Sequence, residues 1–353
     1  MESEASSQRI SITARRNNHY GSILKKDITF EVSCLSKNPP SCTAIAWSIH
    51  RADNGGFLWG RNETFTTEIA SLTKIMTAYL SIQLANYLKI DFKSEYVKVS
   101  KRASLTGGTR AGLIQNSEIK LIDLLYGLLL PSGNDASIAL AEYFGQKALE
   151  YISKFPQNAK FENPLFKISL QNLDDFVQIF VKLMNRLAKL ANLRKSKFSN
   201  PHGLPDKANT SNCIDLGKLI SIARKEEIIK EIVSTMSYEC YGSDEKGNEI
   251  KYKWMNTNIL LNKGFDGFKT GTTPTAGACL IGTCTIKKIF PIVIIILQSK
   301  TSESRWEEMK KLRQWAEIRL ETFLEISANK LFYTERSNIS KPMKGIESIK
   351  SYL

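Results

Sequence analysis

Histidine is scarce in this chain, with only His19, His50 and His202 in 353 residues. A Ser-His-Asp triad needs one of them beside an exposed serine, and none lies in an elbow such as GxSxG. His19 falls in a polar N-terminal stretch, His50 ends an expected strand, and His202 sits in a tight loop where a structural hydrogen bond is the favoured reading. Cysteine is equally uninformative: Cys34, Cys42, Cys213, Cys240, Cys279 and Cys284 contain no CxxC pair, which argues against a zinc ribbon or a dense disulfide framework and leaves buried thiols. Cys279 and Cys284 fall in one expected strand, where distance and opposite faces disfavour a bridge. No glycine-rich phosphate loop opens a helix. Long apolar runs are also missing. The longest, 289–297, is far short of the roughly 20 residues that cross a bilayer, and residues 1–20 hold no apolar segment of the roughly 7 to 15 that a secretory signal requires. The expectation is a soluble chain without a transmembrane segment or visible export signal, its compartment left open.

Positive charge, by contrast, is plentiful. A formal charge of +14 favours anionic partners such as nucleic acid, acidic lipid or cell-wall polymer without choosing among them. The basic residues are scattered (Lys25-Lys26, Arg194-Lys195-Lys197, Lys287-Lys288, Lys310-Lys311) with no aromatic interleaving, so they read as a solvated surface and no nucleic acid is expected. A chain that is 42% hydrophobic can bury a substantial core in one large domain or two smaller ones.

Along the chain, residues 1–28 read as a polar mobile arm and 29–325 as the folded domain, followed by a tail over 326–353. Strands are predicted at 44–50 and 56–59 across the turn Asp53-Asn54-Gly55-Gly56. Apolar spacing from Leu72 through Ile75, Met76, Tyr79 and Leu80 to Leu84 predicts a helix that starts at Ser71. Two helices, 121–130 and 136–143, are broken by Pro131-Ser132-Gly133-Asn134. Further helices follow over 173–193 and 214–224, and the middle of the chain reads as mostly helical. A second hairpin, 278–286 with 290–297, precedes a closing helix over 305–324. Strands at both ends with helices between predict an α/β (α+β) sandwich: a mainly antiparallel sheet shared by the first and last strands, the closing helix on one face and a helical lobe at the side.

Without a histidine base, a serine can use a lysine one helical turn away. Ser71-Leu72-Thr73-Lys74 supplies that pair, because positions i and i+3 share a helix face. Burial beside other cations would lower the lysine pKa, and the helix start would direct N–H groups at developing negative charge. Spacing alone does not select Ser71, since SxxK recurs at Ser22, Ser117, Ser243 and Ser327. Its company does: Ser132-Gly133-Asn134 follows in a helix break, and Lys269-Thr270-Gly271 is the single KTG, at the start of the late hairpin. With SDN in second place, these elements mark class A β-lactamases and penicillin-binding proteins.

Over residues 40–320 the chain resembles the D-alanyl-D-alanine carboxypeptidases, the low-molecular-mass penicillin-binding proteins of peptidase family S11. The resemblance rests on Ile69-Ala70-Ser71-Leu72-Thr73-Lys74-Ile75-Met76-Thr77-Ala78, on Asp123-Leu124-Leu125-Tyr126-Gly127-Leu128-Leu129 leading into Ser132-Gly133-Asn134-Asp135-Ala136, and on Phe198-Ser199-Asn200-Pro201-His202-Gly203-Leu204. Asn256-Thr257-Asn258 and Asp266-Gly267-Phe268-Lys269-Thr270-Gly271 extend it. The resemblance implies that Ser71 attacks the carbonyl of the penultimate D-alanine while Lys74 accepts its proton. Ser132 would relay a proton to the leaving amine, Asn134 would hold the substrate amide, and Lys269 would add positive charge. The N–H groups of Ser71 and Thr272 would form the oxyanion hole. Thr270 and Arg305 would hold the terminal carboxylate, although for Arg305 a surface arginine is an equally open reading. Substrates ending in D-Ala-D-Ala and β-lactam inhibitors are the implied partners, and no metal or organic cofactor is implied.

The chain also departs from that family. Its members are usually exported, whereas this sequence opens with no signal. The stretch 146–175 is longer than usual and reads as a surface insertion, and the C-terminal β domain and membrane-anchoring helix of many relatives are missing from the reading. A β-lactamase would need a glutamate for deacylation, and the 200–204 loop offers none. A noncatalytic descendant of the fold is the remaining alternative.

Overall fold

The computed structural model describes residues 38–155, 163–170 and 175–339; the arm expected over 1–28 lies outside them. Residues Pro40–Leu312 form one compact unit, and a second unit takes both chain ends, of which 38–39 and 313–339 are described.

Within the first unit, β1 (Ala46–Arg51) and β2 (Phe57–Arg61) form the first hairpin. Its turn closes because Gly55 takes a φ of +75° and Asn54 Oδ1 accepts from Gly56 N at 2.8 Å. Late in the chain, β9 (Gly267–Thr273), β10 (Gly277–Ile286) and β11 (Phe290–Ser299) follow one another antiparallel. The β10–β11 turn places Lys287 and Lys288 at φ +50° and +59°, the two left-handed residues of a tight hairpin. β1 then pairs with β11, Ala46 opposite Leu297 and Arg51 opposite Ile292, giving one five-stranded sheet in the order β2-β1-β11-β10-β9. The first and last strands share a sheet, as expected, and β1 is buried along its whole length.

The helical lobe is built on α1 (Thr73–Leu88), whose buried residues lie on nearly every side, as a central helix requires. Leu72, Ile75, Met76, Leu80 and Leu84 join a single core with side chains of α3 (Leu121–Leu129), α4 (Asn134–Ser153) and α5 (Phe176–Leu190). The short α2 (Lys101–Leu105) starts on Ser100, whose hydroxyl accepts from Ala103 N at 2.9 Å. α4 and α5 approach so closely that a Cβ on Gly145 would lie 2.0 Å from Phe176 O. α6 (Cys213–Ala223), capped by Asn212, and α7 (Glu227–Ser234) complete the lobe.

Two outcomes differ from the sequence reading. The middle of the chain is not simply helical: β4 (Tyr96–Lys98), β5 (Glu118–Lys120), β7 (Ser237–Ser243) and β8 (Glu249–Met255) form a separate four-stranded sheet, while β3 (Thr67–Glu68) pairs with β6 (Thr210–Ser211). The closing helix α8 (Ser302–Ile339) begins before Arg305 and runs past the end expected near Leu324, because no glycine or proline interrupts it there. Its early turns cover the sheet, with Met309 Sδ 2.9 Å from where a Cβ on Gly282 of β10 would lie. Among the described residues no helix is long and apolar enough to cross a membrane.

Candidate active site

Ser71 sits in a single 3-10 turn, Ala70–Leu72, that runs directly into α1. Two glycines allow the surrounding backbone to close on it. A Cβ on Gly203, where φ is +87°, would come within 1.9 Å of Ala70 O, and one on Gly271 within 3.0 Å of Ser71 N. The turn, the 200–204 loop and β9 therefore meet at the serine. Ser71 is partly exposed while the residues around it are buried.

Lys74 lies one turn into the helix with its side chain fully enclosed. Its Nζ donates to Ser71 Oγ at 3.0 Å, to Asn134 Oδ1 at 2.7 Å and to His202 O at 2.6 Å. None of these three partners is a carboxylate; a neutral amine would donate to two of them and accept from the Ser71 hydroxyl. Burial first, then the neighbouring Lys269 charge, hold the amine well below its ordinary pKa, against a smaller opposing pull from Asp135. A neutral amine hydrogen-bonded to a hydroxyl can accept its proton.

Ser132 and Asn134 arrive from the break between α3 and α4. Ser132 takes a left-handed φ of +65°, Gly133 N donates to Gly127 O at 2.9 Å, and Asn134 opens α4. Ser132 Oγ is buried without a hydrogen-bond partner among the described residues. Asn134 Nδ2 donates to Gly107 O at 2.7 Å, which fixes the amide so that its oxygen faces Lys74.

A residue that sequence reasoning passed over holds this break in place. Asp135 is fully buried and accepts from Ala111 N (2.8 Å) and Ala136 N (2.9 Å) on one oxygen, and from Gly112 N (2.9 Å) and Leu113 N (3.1 Å) on the other. A buried carboxylate satisfied by four amides is a backbone anchor. Its position next to Asn134 in the quoted motif was the available signal.

Lys269, Thr270, Gly271 and Thr272 lie consecutively on β9, the edge strand, rather than in the hairpin that follows. Lys269 is enclosed and Nζ donates to Thr270 O at 3.1 Å. Burial, with a smaller contribution from the Arg305 charge, brings its pKa down to about 7. Thr272 is exposed at the strand end. Arg305 is no surface arginine: it is only 8% exposed, and its Nη1 donates to Thr272 Oγ1 at 2.8 Å, Gly271 O at 3.1 Å and Cys279 O at 3.2 Å. Its charge stands behind β9 and reaches the strand surface through the Thr272 hydroxyl.

The two described histidines, His50 and His202, are structural, and His19 lies outside the described residues. His202 Nδ1 accepts from Leu204 N at 3.1 Å, and burial, then the Lys74 and Arg102 charges, bring its pKa down to about 3. His50 pairs with Ser48 Oγ at 2.7 Å, and burial lowers its pKa to about 4. Cys42, Cys213, Cys240 and Cys279 are free thiols and buried, and Cys284 is buried too; Cys34 lies outside the described residues.

The model of peptidase family S11, D-alanyl-D-alanine carboxypeptidase, matches residues 34–163 and 176–301. D-alanyl-D-alanine carboxypeptidase DacF of Bacillus subtilis is 29% identical over 273 residues, covering 76% of this chain and 61% of its own length. DacA of Haemophilus influenzae is 26% identical over 330 residues, 90% of this chain and 73% of the relative. Among solved structures, the Streptomyces K15 DD-transpeptidase superposes with a TM-score of 0.67 at 26% identity, covering 79% of this chain and 99% of that one. The chain therefore spans about three-fifths of the Bacillus relative and nearly all of the Streptomyces enzyme. With the matched residues including Ser71, Lys74, Ser132, Asn134 and Lys269, the chain belongs to the D-alanyl-D-alanine carboxypeptidase family, the S11 serine peptidases.

Proposed function

We propose that the protein is a serine-type D-Ala-D-Ala carboxypeptidase that releases the terminal D-alanine of peptidoglycan-type peptides through an acyl-enzyme. The observation that carries this reading is Lys74: an enclosed amine, 3.0 Å from Ser71 Oγ, in surroundings that favour its neutral form. Ser71 Oγ forms a bond to the carbonyl carbon of the penultimate residue as its proton passes to Lys74. The N–H groups of Ser71 and Thr272 hold the resulting oxyanion, each donor of this kind contributing about 3 to 4 kcal/mol in other hydrolases. The C–N bond then breaks, and Ser132, whose hydroxyl has no hydrogen-bond partner among the described residues, relays to the leaving amine the proton that Lys74 took from Ser71. Asn134 positions the substrate amide. Lys269, the Thr270 hydroxyl and the Arg305-backed Thr272 hydroxyl face the terminal carboxylate. Water finally attacks the ester and regenerates Ser71.

β-Lactams enter the same path and acylate Ser71. Their release is expected to be slow, because the loop segment beside Lys74 presents the His202 carbonyl where a deacylating carboxylate would be needed. Incubating the protein with a peptide ending in D-Ala-D-Ala tests the reaction: free D-alanine should accumulate with the parent and not with Ser71→Ala. A folded parent that releases none, or a Ser71→Ala variant that releases as much, contradicts it. Rapid turnover of a penicillin would transfer the reading to a β-lactamase.

A further inference from the structure

The Asn256-Thr257-Asn258 motif has no part in the chemistry above, yet it bridges two of the elements that build the site. Thr257 N donates to Leu130 O at 3.1 Å, immediately before Pro131 and Ser132. Its hydroxyl lies 2.8 Å from Thr270 Oγ1 on β9. The flanking asparagines hold the turn: Asn256 Nδ2 donates to Val233 O and Thr235 O at 3.2 and 2.9 Å, and Asn256 Oδ1 accepts from Asn258 N at 2.9 Å. Thr257 itself is exposed, whereas Thr270 is buried.

We propose that Thr257 is a specificity-determining residue that orders the Thr270 hydroxyl as a donor to the substrate's C-terminal carboxylate. This rests on the carboxypeptidase reading. Two hydroxyls at hydrogen-bond distance hold two protons and share one, so one proton is left for a ligand. A carboxylate can only accept, and it selects the arrangement in which Thr257 donates to Thr270 and Thr270 donates to the ligand. That chain polarises the outer hydroxyl and strengthens its bond to an anion. A neutral carboxamide carries donors of its own and gains less from the same arrangement. The structural role of the motif lies elsewhere, in the Thr257 backbone N–H and the two asparagines.

The test compares kcat/KM for two peptides, one ending in D-Ala-D-Ala as the free acid and one as its C-terminal carboxamide, using the parent, Thr257→Val and Thr257→Ser. Valine keeps the shape and the backbone bond while removing the hydroxyl. It should lower kcat/KM for the free acid roughly fivefold to tenfold, the size of one ordinary hydrogen bond, while leaving the carboxamide unchanged. Serine should restore the preference. An equal fall on both substrates, or an unchanged preference in the valine variant, overturns the inference. Thr257→Ala carries the same expectation should the valine variant not fold. A folded parent that cleaves neither peptide and takes no label from penicillin overturns the proposed reaction and this inference with it.

Discussion

Two buried polar groups sit on either side of one short motif and are treated in opposite ways. Asp135 has two oxygens that accept four backbone amides, and Arg110 Nε lies 3.9 Å from Oδ2, so its charge is balanced by fixed dipoles and a nearby cation. Lys74, held by Asn134 next door, contacts a hydroxyl, an amide oxygen and a carbonyl, makes no ion pair among the described residues, and feels the Lys269 charge more than that of Asp135. The first arrangement secures the loop and the helix start. The second leaves a charge inadequately supported, which is how a lysine becomes a base at ordinary pH. One region is built for stability and the other draws on it.

Removing each group should expose the difference. The largest effect on chemistry is expected for Lys74→Ala: acylation of Ser71 by penicillin should fall about 10²- to 10⁴-fold, the usual range for a lost general base, with little loss of melting temperature. A fall in stability comparable to that of an Asp135 variant would erase the contrast. Asp135→Ala should act the other way, leaving buried amide donors without acceptors and costing about 3 kcal/mol by denaturant unfolding. An unchanged midpoint would show that the anchor is dispensable.

Gly271→Ala probes the closeness of β9 to the serine. Its Cβ would lie 3.0 Å from Ser71 N and 3.1 Å from Ile69 O, so the turn must shift by tenths of an ångström. A drop in acylation rate of roughly tenfold is expected, since small displacements of a nucleophile are heavily felt. Parent-like rates would mean that the contact yields freely.

The smallest and most specific effect concerns pH. With the Lys269 pKa near 7, activity that depends on its charge should decline as pH rises through about 7. Stability should move oppositely. The unfolded lysine keeps its proton up to about 10.4 while the folded one loses it near 7, so the unfolded state binds more protons in that window and stability rises with pH. Lys269→Met should flatten the activity trend and reduce the stability slope, leaving the share that buried Lys74 contributes; a parent whose stability falls across this window would contradict the burial argument.

Much of this was legible in the sequence. The antiparallel sheet shared by the chain's two ends followed from the hairpin signals at 53–56 and 287–288, and the three motifs led to the residues that now surround Ser71. The four-stranded sheet was missed because β4 and β5 have only three residues each, too few to show a period, and because the alternation of Tyr252 and Trp254 facing inward was passed over in a middle read as helical. Arg305 could not be resolved from sequence, since burial behind β9 depends on where α8 docks. Asp135 stood inside a recognised motif, but three of its four amides come from a loop more than twenty residues away, a contact that only the fold brings about.

The most direct measurement is covalent: incubate the protein with a fluorescent penicillin, locate the adduct by peptide mass, and follow its decay. A stoichiometric adduct on the peptide containing Ser71, lost in Ser71→Ala and much slower to form in Lys74→Ala, is expected. An adduct on another residue, or a folded protein that takes no label, would contradict the assignment of Ser71 as the nucleophile activated by Lys74.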